Sequence, residues 1–147
     1  LAEAGVALEA RGVHLVRRSA LYSTEPVGGP PQEWVLNAVV AADTRLSPEA
    51  LLSVCLEVEA LQGRVRGVKN GPRTLDADIL FYDDLRRHDS TLEIPHPRLH
   101  ERRFVLVPLH EIAPALVHPT SGLTVAELLA RCPDTSAVHL HTATLAR

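Results

Sequence analysis

Residues 71–80 read GPRTLDADIL, and this stretch decides the fold. From Leu75 to Ile79 apolar and polar residues alternate, which predicts a strand with one exposed face. Side chains two residues apart leave a strand on the same side, so Asp76 and Asp78 should lie together, about 6.8 Å apart along the strand. Their hard carboxylate oxygens favour magnesium over zinc. The plainer interpretation is a strand that turns its polar face to water, and the pair alone does not decide between the two.

Basic residues crowd the chain just before this pair: Arg64, Arg66, Lys69 and Arg73. Arginine offers planar, bidentate donors to phosphate oxygens and stays charged at any working pH, so it can stabilise negative charge on a transferring phosphoryl group. Neither a Walker A sequence nor a G-x-G-x-x-G pattern occurs, which argues against P-loop enzymes and protein kinases. The stretch from Arg64 to Asp78 therefore predicts a magnesium-polyphosphate site held by side chains.

Outward from this stretch the chain predicts a single domain over residues 1–147, with helices and strands interspersed. Ser47 starts a helix that should end at Gly63, and Thr124 begins another with a capping box. Residues 97–110 are open between helix and extended chain, because a proline within them limits any helix. We expect helices at 1–11, 48–63 and 124–132, a basic connector at 64–73, and strands at 13–22, 34–42, 74–82, 92–94 and 136–142.

Composition excludes several classes of protein. The 147 residues are 46% hydrophobic with a net charge of -3, which is unlike a disordered chain or a nonspecific nucleic-acid binder. No apolar run approaches the roughly 18 residues that a membrane span needs. Cys55 and Cys132 lie far apart among apolar neighbours, which predicts buried thiols of a reduced protein rather than a disulfide framework. We expect a cytoplasmic monomer that binds neither nucleic acid nor membrane.

Residues 71–80 also resemble the signature of the 6-hydroxymethyl-7,8-dihydropterin pyrophosphokinase family, and residues 94–104, IPHPRLHERRF, resemble its second block. The likeness extends in order to residues 22–24, 36–38 and 59–66, so it covers nearly the whole chain. It implies an α+β fold, a ferredoxin-like βαββαβ sandwich with C-terminal additions. The family usually opens with a strand and a Gly-Ser-Asn turn, which do not precede Leu1, so the first strand should be absent from this chain.

The resemblance implies an enzyme of folate biosynthesis that transfers the diphosphate of ATP to 6-hydroxymethyl-7,8-dihydropterin and releases AMP. Two Mg²⁺ ions are implied, with Asp76 and Asp78 as their shared ligands. By position in the family pattern, Arg64 and Arg73 would act on the triphosphate. The nucleotide and metal region would further include Glu59, Arg66, His96 and Arg102. The pterin would be bound by Thr24, Pro26, Val27, Asn37 and Phe104.

Two of these residues fit a pterin on chemical grounds as well. A flat heterocycle rich in donors and acceptors needs an aromatic face and an amide, which Phe104 and Asn37 supply. Ordinary core packing for Phe104, and a hydrogen bond to a neighbouring loop for Asn37, are the alternatives. Two residues before Asn37 the family commonly has an aromatic residue that stacks on the pterin, whereas this chain has Val35.

Other interpretations stay open at this point. His96 and His100 have the i, i+4 spacing of a zinc pair, yet Pro97 suits a first helical position and leaves His96 outside the helix. A ferredoxin-like RNA-binding module would need aromatic side chains on a sheet face, and the chain has only one Trp, two Tyr and two Phe. The third alternative is a magnesium-dependent phosphohydrolase, which would release phosphate or pyrophosphate from nucleotides without a pterin.

Overall fold

The computed structural model describes residues 2–24, 35–66 and 75–141, which form the α+β fold expected from the sequence. Its helices are α1 (Ala2–Ala10), α2 (Pro48–Arg66), α3 (Arg103–Ile112) and α4 (Val125–Ala130), with a 3-10 turn at Leu99–Glu101. Its strands are β1 (Val13–Arg18), β2 (Tyr22–Thr24), β3 (Val35–Asn37), β4 (Val40–Thr44), β5 (Arg87–His88), β6 (Glu93–Ile94) and β7 (Val138–Leu140). None of the helices described is long and apolar enough to cross a membrane.

The first two predicted strands form a hairpin that divides into two sheets. β1 pairs antiparallel with β4, and β2 pairs antiparallel with β3, whereas the sequence predicted two uninterrupted strands. The break lies at Ser19, whose N–H donates to the Val39 carbonyl at 2.8 Å while its hydroxyl accepts from the Val39 N–H at 2.9 Å. A side-chain oxygen thus takes the place of one backbone partner. β7 pairs with the other edge of β2, so β2 is the central strand of the sheet β3-β2-β7.

The long helix α2 begins where the sequence predicted and ends three residues later. Ser47 caps it by accepting a 3.1 Å hydrogen bond from the Ala50 N–H. The predicted end at Gly63 is wrong, because the helix continues to Arg66. Glycine weakens a helix without ending it unless the backbone turns left-handed, and basic residues suit the negative end of the helix dipole. Residues 64–66 therefore form the last turn of α2 and not the start of a connector.

The segment 75–82, which carries the aspartate pair, differs from the strand predicted at 74–82. It forms no strand ladder with any other part of the chain that the structure describes. Its alternation persists, since Asp76 and Asp78 are exposed while Leu75 and Ala77 are half-buried. The predicted return strand exists as β6, but it pairs with β5 and not with this segment. The alternating pattern therefore predicted correctly which side chains are exposed, but the predicted strand pairing is wrong within the described residues.

The main core lies between α3, most of which falls in the span that the sequence left open, and the predicted helix α4. Its buried members are Leu99, Leu106, Leu109, Val125 and Leu128. α3 contains Pro108, which cannot donate to the carbonyl four residues before it, yet the buried ring adds apolar area to the same core. The capping box predicted for α4 is confirmed, because Thr124 and Glu127 exchange hydrogen bonds of 2.9 and 3.1 Å.

Candidate active site

The aspartate pair projects from an extended segment that α2 holds in place. The carboxylate of Glu59, on α2, accepts a 2.6 Å hydrogen bond from the backbone N–H of Ala77. Ala77 is half-buried, whereas Asp76 and Asp78 on either side of it are exposed. Glu59 therefore fixes the backbone between two carboxylates that both face solvent.

These carboxylates fit a magnesium ion that takes its remaining ligands from phosphate and water. The Oε2 of Glu59, the third carboxylate nearby, is engaged by the Ala77 N–H. Over residues 2–24, 35–66 and 75–141, no group of three or more His, Cys, Asp or Glu side chains could hold a metal ion. The donor set thus suits a hydrated ion bridged to a polyphosphate, and it does not suit the closed zinc site considered for His96 and His100.

A cavity of about 250 Å³ opens beside the aspartate pair. Its walls come from Leu52 of α2, from residues 77–79, and from residues 89–93 with His96 and Pro97. The lining combines apolar side chains with polar and charged residues, among them Asp78 and His96. This cavity therefore offers an adjoining binding volume to any group held at Asp78.

One hydrogen bond selects the tautomer of the His96 imidazole. Its Nδ1 accepts a 3.2 Å hydrogen bond from the Arg98 N–H, so the proton of the neutral ring lies on Nε2. Burial lowers the pKa of His96, while the nearby Asp78 carboxylate acts in the opposite direction. The backbone N–H of His96 donates to the Leu80 carbonyl at 2.9 Å, which joins this residue to the segment of the aspartate pair. At neutral pH His96 thus presents a neutral N–H donor.

Cys55 lies beneath the carboxylates, on the inner face of α2. Burial, followed by the negative charges of Glu59 and Asp78, raises the pKa of its thiol to about 11. The residue is 7% exposed and, like the half-buried Cys132, it forms no disulfide. The prediction that neither cysteine forms a disulfide is confirmed, and the predicted burial holds for Cys55 but is wrong for the half-buried Cys132.

Two residues predicted to bind the pterin meet across β2 and β3. The Asn37 side-chain amide donates a 3.0 Å hydrogen bond to the Thr24 hydroxyl. Thr24 is 6% exposed and Asn37 is half-buried, so neither side chain is fully exposed to solvent. An asparagine in an apolar strand is therefore satisfied by a strand neighbour rather than by a loop.

The start of α3 packs against β2 and β3, the two strands that carry Thr24 and Asn37. Phe104 lies in its first turn and is half-buried. The Arg102 guanidinium carbon lies 5.7 Å from the centroid of the Phe104 ring, within cation–π range. The aromatic face and the guanidinium that the sequence assigned to two different ligands are thus neighbours.

Comparison with known proteins gives this arrangement a family. A family model described as 7,8-dihydro-6-hydroxymethylpterin-pyrophosphokinase matches residues 1–114. The chain belongs to this pyrophosphokinase family. Every predicted site residue, from Thr24 to Phe104, lies inside the matched range.

Curated relatives of this family cover most of the chain. A 2-amino-4-hydroxy-6-hydroxymethyldihydropteridine pyrophosphokinase from Methylorubrum extorquens is 52% identical over 82% of this chain and 75% of its own length. The protein of the same name from Synechocystis is 45% identical over 80% of this chain and 60% of its own length. Folic acid synthesis protein fol1 of Schizosaccharomyces pombe is 40% identical over 84% of this chain, which corresponds to 17% of that longer protein.

The remaining family positions fall partly outside the described residues. Arg64 and Arg66 lie in the last turn of α2, the helix that carries Glu59, and only their backbone is described. Pro26, Val27 and Arg73 lie outside the described residues. The roles expected for these five residues stay predictions.

Three further charged residues support the site and were missed by sequence reasoning. Arg87 joins the β5–β6 hairpin to the start of α2 through an ion pair. Glu111 ties α3 to β2, and Asp134 binds the first residue of α3. Each contact joins elements far apart in the chain, so no spacing or periodicity in the pyrophosphokinase sequence pointed to them.

Proposed function

We propose that this chain transfers the diphosphate of ATP to the hydroxymethyl group of 6-hydroxymethyl-7,8-dihydropterin, a step of folate biosynthesis. The observation that carries the proposal is the Glu59–Ala77 hydrogen bond, which presents Asp76 and Asp78 beside the cavity lined by His96. A relative named as the corresponding pyrophosphokinase is 52% identical to the chain, and this supports the same reaction.

The nucleotide half of the proposed site acts by electrostatic attraction to the phosphates and by positioning them. Asp76 and Asp78 would hold two Mg²⁺ ions, whose positive charge would offset the negative charge of the phosphate oxygens. The Nε2–H of His96 donates to a phosphate oxygen. Glu59 acts on the nucleotide and metal region indirectly, through the backbone of Ala77. The cavity beside Asp78 receives the rest of the nucleotide.

Arginines complete the phosphate site. Arg64 and Arg66 lie in the last turn of α2, and Arg73 precedes the aspartate segment in the sequence. Together with Arg102 they offer planar donors to the triphosphate and stabilise the negative charge that spreads over the transferred group.

The pterin half is proposed to lie against β2, β3 and α3. Phe104 stacks on the ring, and Asn37, held by the Thr24 hydroxyl, presents its amide to the donor and acceptor edge. Pro26 and Val27, which follow Thr24 in the chain, contribute mainly backbone groups. The Arg102 guanidinium beside Phe104 then lies between the pterin and the nucleotide.

The transfer itself requires one bond to form and one to break. The hydroxymethyl oxygen of the pterin attacks the β-phosphorus of ATP, and the bond between that phosphorus and the α–β bridging oxygen breaks. AMP leaves with the bridging oxygen, and the hydroxyl proton passes to solvent. The chain contributes by holding the two substrates in line and by stabilising charge on the transferred phosphates.

We further propose the ferredoxin-like sandwich for the fold. α1, the hairpin, α2 and the extended segment 75–80 follow the order of the last five elements of a βαββαβ unit, and α1 packs against α2. Such a sandwich needs one more strand beside the segment 75–80. α3, α4 and β7 are then additions after the unit. We also propose a cytoplasmic monomer, a state that gel filtration of the pure protein would test.

One assay separates the proposed reaction from its alternatives. AMP formation from ATP and Mg²⁺ is measured with and without 6-hydroxymethyl-7,8-dihydropterin. Pterin-dependent AMP supports the pyrophosphokinase reaction. Release of phosphate or pyrophosphate at the same rate without pterin would replace the proposal with a nucleotide hydrolase.

A further inference from the structure

The residues after the family match contact both walls of the proposed pterin site. The match ends at residue 114, and residues 134–141 lie beyond it. We infer that residues 134–141, which we call the C-terminal clamp, position Phe104 and Thr24 for pterin binding, with Asp134 as the positioning residue. The inference rests on the proposed function and adds residues to its pterin half.

The clamp supplies the cap that α3 lacks. The residue before the helix, Arg102, makes no side-chain capping hydrogen bond. Asp134 takes that role from a distance, since its Oδ2 accepts the Arg103 N–H at 3.0 Å. Free N–H groups at a helix start need an acceptor, and a carboxylate there also complements the helix dipole. Because Phe104 is the next residue, this bond fixes the first turn on which its ring is carried.

Asp134 is itself held in place by its neighbours. Its Oδ1 accepts from the Ser136 N–H at 2.9 Å and from the Ser136 hydroxyl at 2.5 Å. The Ser136 carbonyl in turn accepts a 3.2 Å bond from the Arg103 side chain. The hydrogen bond from the Ser136 hydroxyl, the main cause, lowers the pKa of Asp134, so the carboxylate is charged at neutral pH. Both oxygens of this one side chain are thus engaged between the clamp and α3.

The other end of the clamp is a strand of the pterin sheet. β7 pairs antiparallel with β2, and Val138 lies opposite Thr24. The His141 N–H extends the contact by donating to the Leu21 carbonyl at 2.9 Å. Thr24 therefore has a strand neighbour on each side, Val35 of β3 on one and Val138 on the other.

The short path between these two ends couples the two walls. Val138 lies four positions after Asp134, and a chain of that length spans at most about 14 Å when fully extended. The start of α3 and the central strand β2 cannot move apart by more than this reach while both ends of the clamp are bound. Loss of the Asp134 bond releases the Phe104 wall and loosens the sheet wall that the clamp joins to it.

The test compares Asp134→Ala with Thr124→Ala in the full chain. Both changes remove the acceptor at the start of a helix, but α4, which Thr124 caps, carries no residue of the proposed site. We expect Asp134→Ala to raise the KM for the pterin roughly tenfold while the KM for ATP changes less than about twofold. Asp134→Asn keeps one acceptor oxygen, so its KM for the pterin should lie between that of the unmodified protein and that of Asp134→Ala. Thr124→Ala should leave both KM values unchanged.

Hydrogen exchange tests the clamp without using enzyme activity. In Asp134→Ala the amide of Arg103 should exchange faster than in the unmodified protein, and exchange across residues 22–24 should rise with it. Equal increases in both KM values, a pterin effect of the same size in Thr124→Ala, or unchanged exchange at Arg103 would overturn the inference. If the unmodified protein makes no pterin-dependent AMP, the proposed function fails, and the exchange measurement still decides whether the clamp couples the two elements.

Discussion

Glu59 accepts a 2.6 Å hydrogen bond from the backbone N–H of Ala77, and this bond joins α2 to the residue between Asp76 and Asp78. A carboxylate in this position acts on the aspartate pair through the backbone between them. It sets where the extended segment lies relative to the helix, and it does so for both aspartates at once. The placement of the aspartate pair therefore depends on a contact between two elements that are separated in sequence by the basic residues.

Glu59→Ala should weaken the site without removing a proposed metal ligand. The Ala77 N–H loses its acceptor at a half-buried position, which should cost about 1 kcal/mol in the free energy of unfolding. Because the aspartate segment is then less constrained, we expect kcat to fall roughly tenfold and the Mg²⁺ concentration for half-maximal activity to rise. Steady-state kinetics over a Mg²⁺ series measures both.

Glu57→Ala is the matched control, since Glu57 is on the same helix and pairs with Arg11 on the side of α1. An unchanged Mg²⁺ dependence in Glu59→Ala, or an equal change in Glu57→Ala, would show that the Ala77 contact does not organise the site.

Arg87→Gln should loosen the outer wall of the cavity. Arg87 pairs with Glu49 of α2 and with Asp89, and Asp89 in turn accepts from the N–H groups of Thr91 and Leu92 in that wall. We expect the KM for ATP to rise about threefold with the KM for the pterin unchanged, and the difference from the unmodified protein to shrink at high salt. Arg11→Gln, which breaks an ion pair away from the cavity, should leave the KM for ATP as it was. A salt-independent or pterin-specific effect would contradict this role.

Tyr22 should make the stability of the protein sensitive to alkaline pH. Burial, followed by the 2.6 Å hydrogen bond to Glu111, raises the pKa of Tyr22 from 10.0 to about 12. Between these values the unfolded chain loses the phenol proton and the folded chain keeps it, so this contribution to stability is complete below pH 10.0 and is lost as the pH rises toward 12. The tyrosinate absorbance in a pH titration measures the pKa.

Glu111→Gln tests the cause of that shift. Loss of the negative charge should lower the pKa of Tyr22 while burial keeps it above the ordinary value, and Tyr22→Phe should abolish the late transition. A late transition that survives in Tyr22→Phe would assign the shift to another group.

Local patterns predicted what depends on neighbours in sequence. The alternation of residues 75–79 gave the exposed aspartates, and Ser47 and Thr124 gave two helix starts, because faces and caps are set within a few residues. Tertiary contacts decided the rest. Ser19 divides the hairpin through a bond to Val39, and residues 75–82 take an extended path without a ladder partner among the described residues.

The residues of the candidate site likewise fall into those that motifs predict and those that depend on tertiary contacts. The family motifs pointed to Asp76, Asp78 and His96, whose chemistry is recognisable from residue type and spacing. The supporting residues were not predictable in this way: Glu111 bonds Tyr22 across 89 positions and Asp134 bonds Arg103 across 31. Such contacts exist only once the sheet and α3 are packed together.

The central claim is that pterin-dependent diphosphate transfer takes place at the aspartate pair. Its most direct test is the rate of pterin-dependent AMP formation in Asp76→Asn and Asp78→Asn, with Asp84→Asn as the control at the exposed turn that follows. We predict a loss of at least about a thousandfold in the first two variants with folding intact, and an unchanged rate in the control. Full activity in either Asp76→Asn or Asp78→Asn would contradict the account.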